Sequence, residues 1–251
     1  MSDLPPPNPF PSPEPATTPF GGPAGGPWPS VPGPVPLPPD QRLRQAVNAR
    51  TQTDYHFDFW SALGWTLLTC GIYSLYVTYQ LFRRSVEHNR RRIAVLDAVN
   101  ALAWERAVAA GRREELTPWF RSVSTQIDVL RRVATEFRDP TVWMLITLAT
   151  STIGSILRDM FLDMDLVAHE AAERAAEDQL ASLLQSLGTP VALPAAPPPK
   201  GPHNVGGRVA AVIGSCGLYG MWWLYDVMVQ GNENYVQDWP REDAFLVALG
   251  A

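Results

Sequence analysis

Apolar residues are concentrated in three stretches of this chain. Residues 59–82 run for about 24 positions without a charge, between Asp58 and Arg83. As one straight helix rising ~1.5 Å per residue, the run would span ~36 Å, more than the ~30 Å hydrocarbon core of a bilayer. Trp60 and Trp65 lie toward one end and Tyr76 and Tyr79 toward the other, as an interfacial aromatic belt requires. A transmembrane helix is therefore expected there. Two shorter charge-free runs, 141–157 and 209–225, hold about 17 residues each, the lower limit for a span. They are read as transmembrane or re-entrant helices.

Between the first two runs the period becomes that of an amphipathic helix. Ile93, Leu96, Val99, Leu102 and Val108 recur at near-helical spacing until Gly111 offers a stop. A second helix is expected from a Thr117 cap and Pro118, with the stripe Trp119, Val123, Ile127, Leu130, Val133 and Phe137 ending before Asp139-Pro140. Residues 83–139 thus read as a soluble antiparallel helical hairpin. Residues 158–187 read as an acidic amphipathic helix through Glu170, Glu173 and Glu177, closed by Gly188. A Pro-rich linker, 188–207, and a C-terminal tail, 226–251, complete the chain.

Composition sharpens this division. Of the 25 prolines, 16 precede Asp40 and six lie between Pro190 and Pro202. Residues 1–40 are expected to be a disordered polyproline-like tail in which only Phe10, Phe20 and Trp28 offer anchors. Residues 83–139 carry 12 basic and 8 acidic residues, and 158–187 carry 2 and 7. Neither has the clustered cations free of acid that nucleic acid demands, so no nucleic-acid partner is expected. The N-terminus lacks a basic segment followed by an apolar core, so no cleavable signal peptide is expected. The fold class expected is an all-α integral membrane protein: about three short transmembrane or re-entrant helices, a helical hairpin and a Pro-rich tail. The lipid bilayer is the expected partner, and a multi-pass place in a bacterial inner membrane the expected location.

The first and third runs share an internal repeat. Thr69-Cys70-Gly71-Ile72-Tyr73 aligns with Ser215-Cys216-Gly217-Leu218-Tyr219, and Tyr76 and Tyr79 with Trp222 and Tyr225. A degenerate copy starts at Ser151, a register that sets His169 opposite His88. At these residues the chain resembles an uncharacterised prokaryotic membrane family, domain of unknown function 4234, whose tandem copies read roughly Thr-x-Gly-Ile-Tyr-Gly-Leu-Tyr-Trp-Leu-Tyr. Ser74 and Ser215 depart from that pattern, and the resemblance covers about a third of the chain. It implies a membrane location and no activity. Read physically, Gly214, Gly217 and Gly220 recur every three residues and permit close helix approach. Cys70, Gly71, Tyr73, Tyr76, Gly214, Cys216, Gly217, Tyr219, Gly220 and Trp222 form the expected helix-packing motif.

Candidate chemistry is sparse. His88 with Glu87, or His169 with Glu170, would contribute to a metal site only if the repeats brought them together, and no His-x-x-x-His or Cys-x-x-Cys spacing is present. No catalytic residue, metal or cofactor is assigned. Arg158, Asp159 and Asp226 fall where charges would be intramembrane and polar. Arg83, Arg84 and Arg90 to Arg92 read as a juxtamembrane collar, placing the hairpin in the cytoplasm. The expected role is non-enzymatic assembly or scaffolding through helix-helix contacts, by self-association or with other membrane proteins. The alternative is a small transporter or channel component built on the three charged positions.

Overall fold

Each of the three charge-free runs is bent close to its middle, and the bends determine the fold. In the computed structural model, residues 37–135, 138–195 and 203–251 are described. The expected tail with Phe10, Phe20 and Trp28 lies outside them, as do the side chains of Val133 and Phe137. Leu37–Ala251 forms one compact unit. Its helices are α1 (Pro39–Asn48), α2 (Arg50–Thr53), α3 (Phe59–Leu68), α4 (Ile72–Ala109), α5 (Arg113–Thr135), α6 (Pro140–Thr150), α7 (Thr152–Ser186), α8 (Val205–Gly214) and α9 (Leu218–Leu249).

The repeated motif makes the bend. Cys70 and Cys216 take φ of 50° and 49°, and Gly71 and Gly217 follow at 93° and 92°, the left-handed region that glycine enters without steric cost. The turn closes with Gly71 N–H donating to Thr66 O at 2.7 Å and Gly217 N–H to Val212 O at 2.8 Å, the wrap-back bond of a glycine-terminated helix. The hydroxyl two residues earlier starts the next helix: Thr69 Oγ1 accepts from Tyr73 N–H at 3.0 Å, and Ser215 Oγ from Tyr219 N–H at 2.9 Å. The second run bends at Ser151, with φ of 48°. The short arms also start alike. Asp58, Asp139 and Asn204, each twelve residues before the bend, accept from Trp60, Val142 and Gly207 N–H respectively, which is N-capping. The degenerate copy at Ser151 is therefore a full structural third repeat: cap, short helix, bend, long helix.

These bends overturn the membrane-spanning fold. Among the described residues no helix is long and apolar enough to cross a membrane. The transmembrane assignments of 59–82, 141–157 and 209–225, the integral membrane fold class and the multi-pass placement in an inner membrane fail with it. The physical reason is local: a window of hydropathy does not register that Cys70-Gly71 and Cys216-Gly217 stop one helix and start another.

Several boundaries move as a result. The second arm of the first run continues unbroken into the first helix of the expected hairpin as α4, which has 38 residues. The expected C-terminal tail is the bulk of α9, and the acidic helix is the distal part of α7. The helix expected to start at Thr117 starts at Arg113 and carries Pro118 inside it. Asp139-Pro140, read as the limit of the preceding stripe, caps and opens α6, and Gly111 and Gly188 stand at positive φ just beyond α4 and α7. Residues 40–53, read as tail or left unassigned, form α1 and α2.

The long helices α4, α7 and α9 pack against one another and meet at equivalent repeat positions, so they run parallel. One apolar core lies at their N-terminal ends with the short arms, where Phe82 stacks on Trp143 at 4.9 Å beside Trp223. A second lies at the other end, where Leu43, Leu96, Ile127, Leu184 and Phe245 join α1, α4, α5, α7 and α9. Burying each such side chain contributes about 1.5–3 kcal/mol.

Candidate functional site

Two features stand out against this frame, and they invert the usual distribution of polarity. At the bends, apolar side chains face outward. Fifteen of the 21 exposed large apolar residues among the described ones lie in the three charge-free runs. Leu68 is 76% exposed, Ile72 71%, Ile153 64% and Ile213 70%. The three bends converge on one crevice of about 300 Å³, lined by Leu67, Ser74, Thr152, Ile156, Gly217 and Met221 among others.

The structure places all ten residues of the expected packing motif at or beside two of these tips. Tyr73 and Tyr76 approach to 5.2 Å between rings, and Tyr219 and Trp222 to 5.1 Å. Within the chain, however, nothing lies within 4 Å of a methyl group placed on Gly71, Gly214 or Gly217, and Gly220 meets only Val212 at 3.8 Å. What the fold uses at Gly71 and Gly217 is their backbone freedom. Cys70 and Cys216 are both free and exposed.

The three expected polar residues are found in ion pairs. Arg158 and Asp159 are buried on the crevice floor, bonded to each other at 2.7 Å, with Arg158 Nη1 donating to Thr78 at 3.1 Å. Burial raises the Asp159 carboxyl, and Arg158 opposes the rise. Asp226 accepts from Arg208 at 2.8 Å across the third hairpin.

Below the tips lies a buried layer of charge that sequence reasoning left unassigned. His88 and His169, eighteen residues after their bends, come together with ring centroids 5.6 Å apart. The condition set for a metal site is met, but with other acids than Glu87 and Glu170. Glu173 lies one turn beyond His169, with Oε2 3.2 Å from His169 Nε2. Asp238 of α9 brings Oδ2 to 3.5 Å from His88 Nε2. Arg92 fills the centre, contacting Glu173, Glu177 and Glu242, and Arg91 bridges Asp54 and Glu242 at 2.6 and 2.5 Å.

The electrostatics of the layer follow from burial. Asp54 sits in the loop before α3, where it accepts from Arg91, from Trp239 Nε1 at 2.9 Å and from His88 Nδ1 at 2.8 Å. Although burial opposes it, the hydrogen bond from His88, the charge of Arg91 and the hydrogen bond from Trp239 hold the Asp54 carboxyl well below the usual carboxylate range. Burial lowers His88 to about 4 against the pull of Asp54, so its ring is neutral at neutral pH. Burial and the neighbouring Glu173 push Asp238 well above the ordinary aspartate value, with Arg92 opposing.

One signal for this layer was present in the sequence. The register that sets His169 opposite His88 continues to Asn234 in the third copy, and four residues later it reads Arg92, Glu173 and Asp238. No protein-family model, curated protein or solved structure matches this chain, so what it does is argued from these two features.

Proposed function

We propose that the protein docks onto one leaflet of a lipid bilayer through its three hairpin tips and holds its helical body at the surface as a scaffold. This is contact with a single leaflet and involves no crossing. The observation that supports it is the bend at the middle of each charge-free run, which folds a bilayer-long apolar segment into two arms. An arm of ten residues, such as α3 or α8, is ~15 Å long, half of a ~30 Å hydrocarbon core.

Three further features favour lipid as the occupant. The backbone of each Cys-Gly bend closes wrap-back bonds onto its own helix, as a chain surrounded by hydrocarbon needs. The charges that end the arms, Asp58, Arg83, Arg208 and Asp226, lie at the opposite end from the bends. Trp60 and Tyr225, with ring centroids 6.5 Å apart, stand beside Asp58 and Asp226, where an aromatic collar meets headgroups.

Cys70 and Cys216, the chain's two cysteines, are reporters already in place. The test is maleimide labelling of the full chain with and without vesicles of phosphatidylcholine and phosphatidylglycerol, alongside flotation. Vesicles are expected to carry the chain upward and to protect both cysteines, while a cysteine introduced by Glu115→Cys stays reactive. Equal labelling of the tips with and without vesicles overturns the reading. Protection that needs no lipid and grows with protein concentration also overturns it, and assigns the tips to a second copy of the chain.

A further inference from the structure

We infer that His88, His169 and Glu173, with Asp238 beside His88, form a binding site for one divalent transition-metal ion, buried where the three repeats meet. The inference stands apart from the docking of the tips, because it concerns a different layer of the fold.

The first ground is unmet bonding. His88 is fully buried and its Nε2 has no hydrogen-bond partner; His169 is 6% exposed, its Nδ1 has none, and its Nε2 meets only the Glu173 carboxylate at 3.2 Å. A buried polar atom left without a partner costs about 1–3 kcal/mol. His88 Nδ1 is engaged with the carboxylate of Asp54 at 2.8 Å, which fixes the proton on that nitrogen and turns the Nε2 lone pair inward. A carboxylate behind an imidazole is the usual outer shell of a histidine metal ligand, since it sets the tautomer and raises basicity.

Geometry is the second ground. Ligands about 2.0–2.1 Å from a tetrahedral ion stand about 3.4 Å apart. His169 Nε2 to Glu173 Oε2 is 3.2 Å and His88 Nε2 to Asp238 Oδ2 is 3.5 Å, each near that spacing. Donor atoms of His88, His169 and Glu173 all lie within 4.8 Å of one another. The four residues line a cavity of about 20 Å³, the size for one water or one small ion.

Charge is the third. The buried layer that holds the cavity carries the carboxylates of Asp54, Glu173, Glu177, Asp238 and Glu242, and the Glu170–Arg174 pair lines the cavity as well. Three guanidiniums, Arg91, Arg92 and Arg241, contact the layer's carboxylates. Arg50 also reaches Glu242, but it is shared with the further acid Asp243. Arg84 bonds to Asn232 and a backbone carbonyl rather than to an acid. Acids thus outnumber the guanidiniums that pair with them directly, a setting that favours a bound cation. Two imidazoles beside carboxylate suit zinc, iron(II) or cobalt(II) better than magnesium or calcium, which prefer oxygen.

The probe is cobalt(II), titrated into the chelator-stripped full chain, with zinc as competitor. One cobalt per chain is expected, with the intense visible bands of a four-coordinate site that zinc abolishes. His88→Gln, His169→Gln and Glu173→Gln should each weaken binding by at least ~100-fold, the upper range for losing an outer-shell partner alone. His56→Gln, at an exposed histidine, should change nothing. X-ray absorption at the zinc edge of the unmutated chain should count two imidazoles, a measurement that needs no variant to fold. No bound cobalt, a weak six-coordinate spectrum, fewer than two imidazoles, or binding that survives His88→Gln/His169→Gln overturns the site.

Discussion

Two successive stretches of α4 invert each other. From Ile72 to Phe82 the helix carries no charge, yet Ile72 is 71% exposed; from Arg84 to Arg92 it is charged, yet Arg84, Arg91 and Arg92 are 5% exposed or less. In the first region the apolar side chains have more surface than this fold can cover. In the second, charges are taken from water and satisfied by one another. Hydropathy therefore describes the residue and not its surroundings. An exposed apolar end points to something outside the chain, whereas a buried charged layer points to something it encloses.

The most damaging way to break this contrast is at its buried side. Arg92→Met should destabilise the protein by about 3–5 kcal/mol, because it leaves Glu173, Glu177 and Glu242 buried without their shared cation. Urea unfolding of the full chain measures it. A loss below about 1 kcal/mol would show that the layer's acids do not depend on the guanidinium, since surface pairs are worth that little.

The bend itself comes next. Gly71→Ala and Gly217→Ala meet no neighbour within 4 Å and still impose a Cβ at φ of 93° and 92°, so each should cost about 1–2 kcal/mol. Gly64 sits inside α3 with equally open space. Gly64→Ala should instead stabilise by about 0.5–1 kcal/mol. Opposite signs in thermal melts would confirm that the motif glycines act through backbone conformation; equal signs would remove that explanation.

That distinction also marks how far the sequence could be read. The charge-free runs and the stops at Gly111 and Gly188 are local signals, and each is present in the fold. The bend is local too, but its small and aromatic residues also fit a helix-packing motif. A hydroxyl residue followed by Cys-Gly is also the pattern of a helix end and a new helix start, and the length of the run obscured it. Proline-rich sequence running into Pro39 concealed α1. The buried layer was harder for a different reason. Asp54, His88, His169 and Asp238 come from four separate segments, and only folding makes neighbours of them. Even so, the pairing of His88 with His169 followed from the repeat register alone, whereas Asp54 and Asp238 had no local pattern to single them out.

The smallest expected effect on stability is the one that tests the exposed side. Leu68 is 76% exposed and contributes little to either core, so Leu68→Asp should shift the unfolding free energy by no more than about 0.5 kcal/mol. Its effect on vesicle partitioning should be far larger. Withdrawing a leucine side chain from hydrocarbon forfeits about 1.5–3 kcal/mol, and every 1.4 kcal/mol is about tenfold in affinity. A tenfold or greater loss in flotation, with an unchanged urea midpoint, would separate docking from folding. A variant that floats like the original would remove the first hairpin from the lipid contact. A variant that unfolds would place Leu68 in the core and undo the contrast between the two regions.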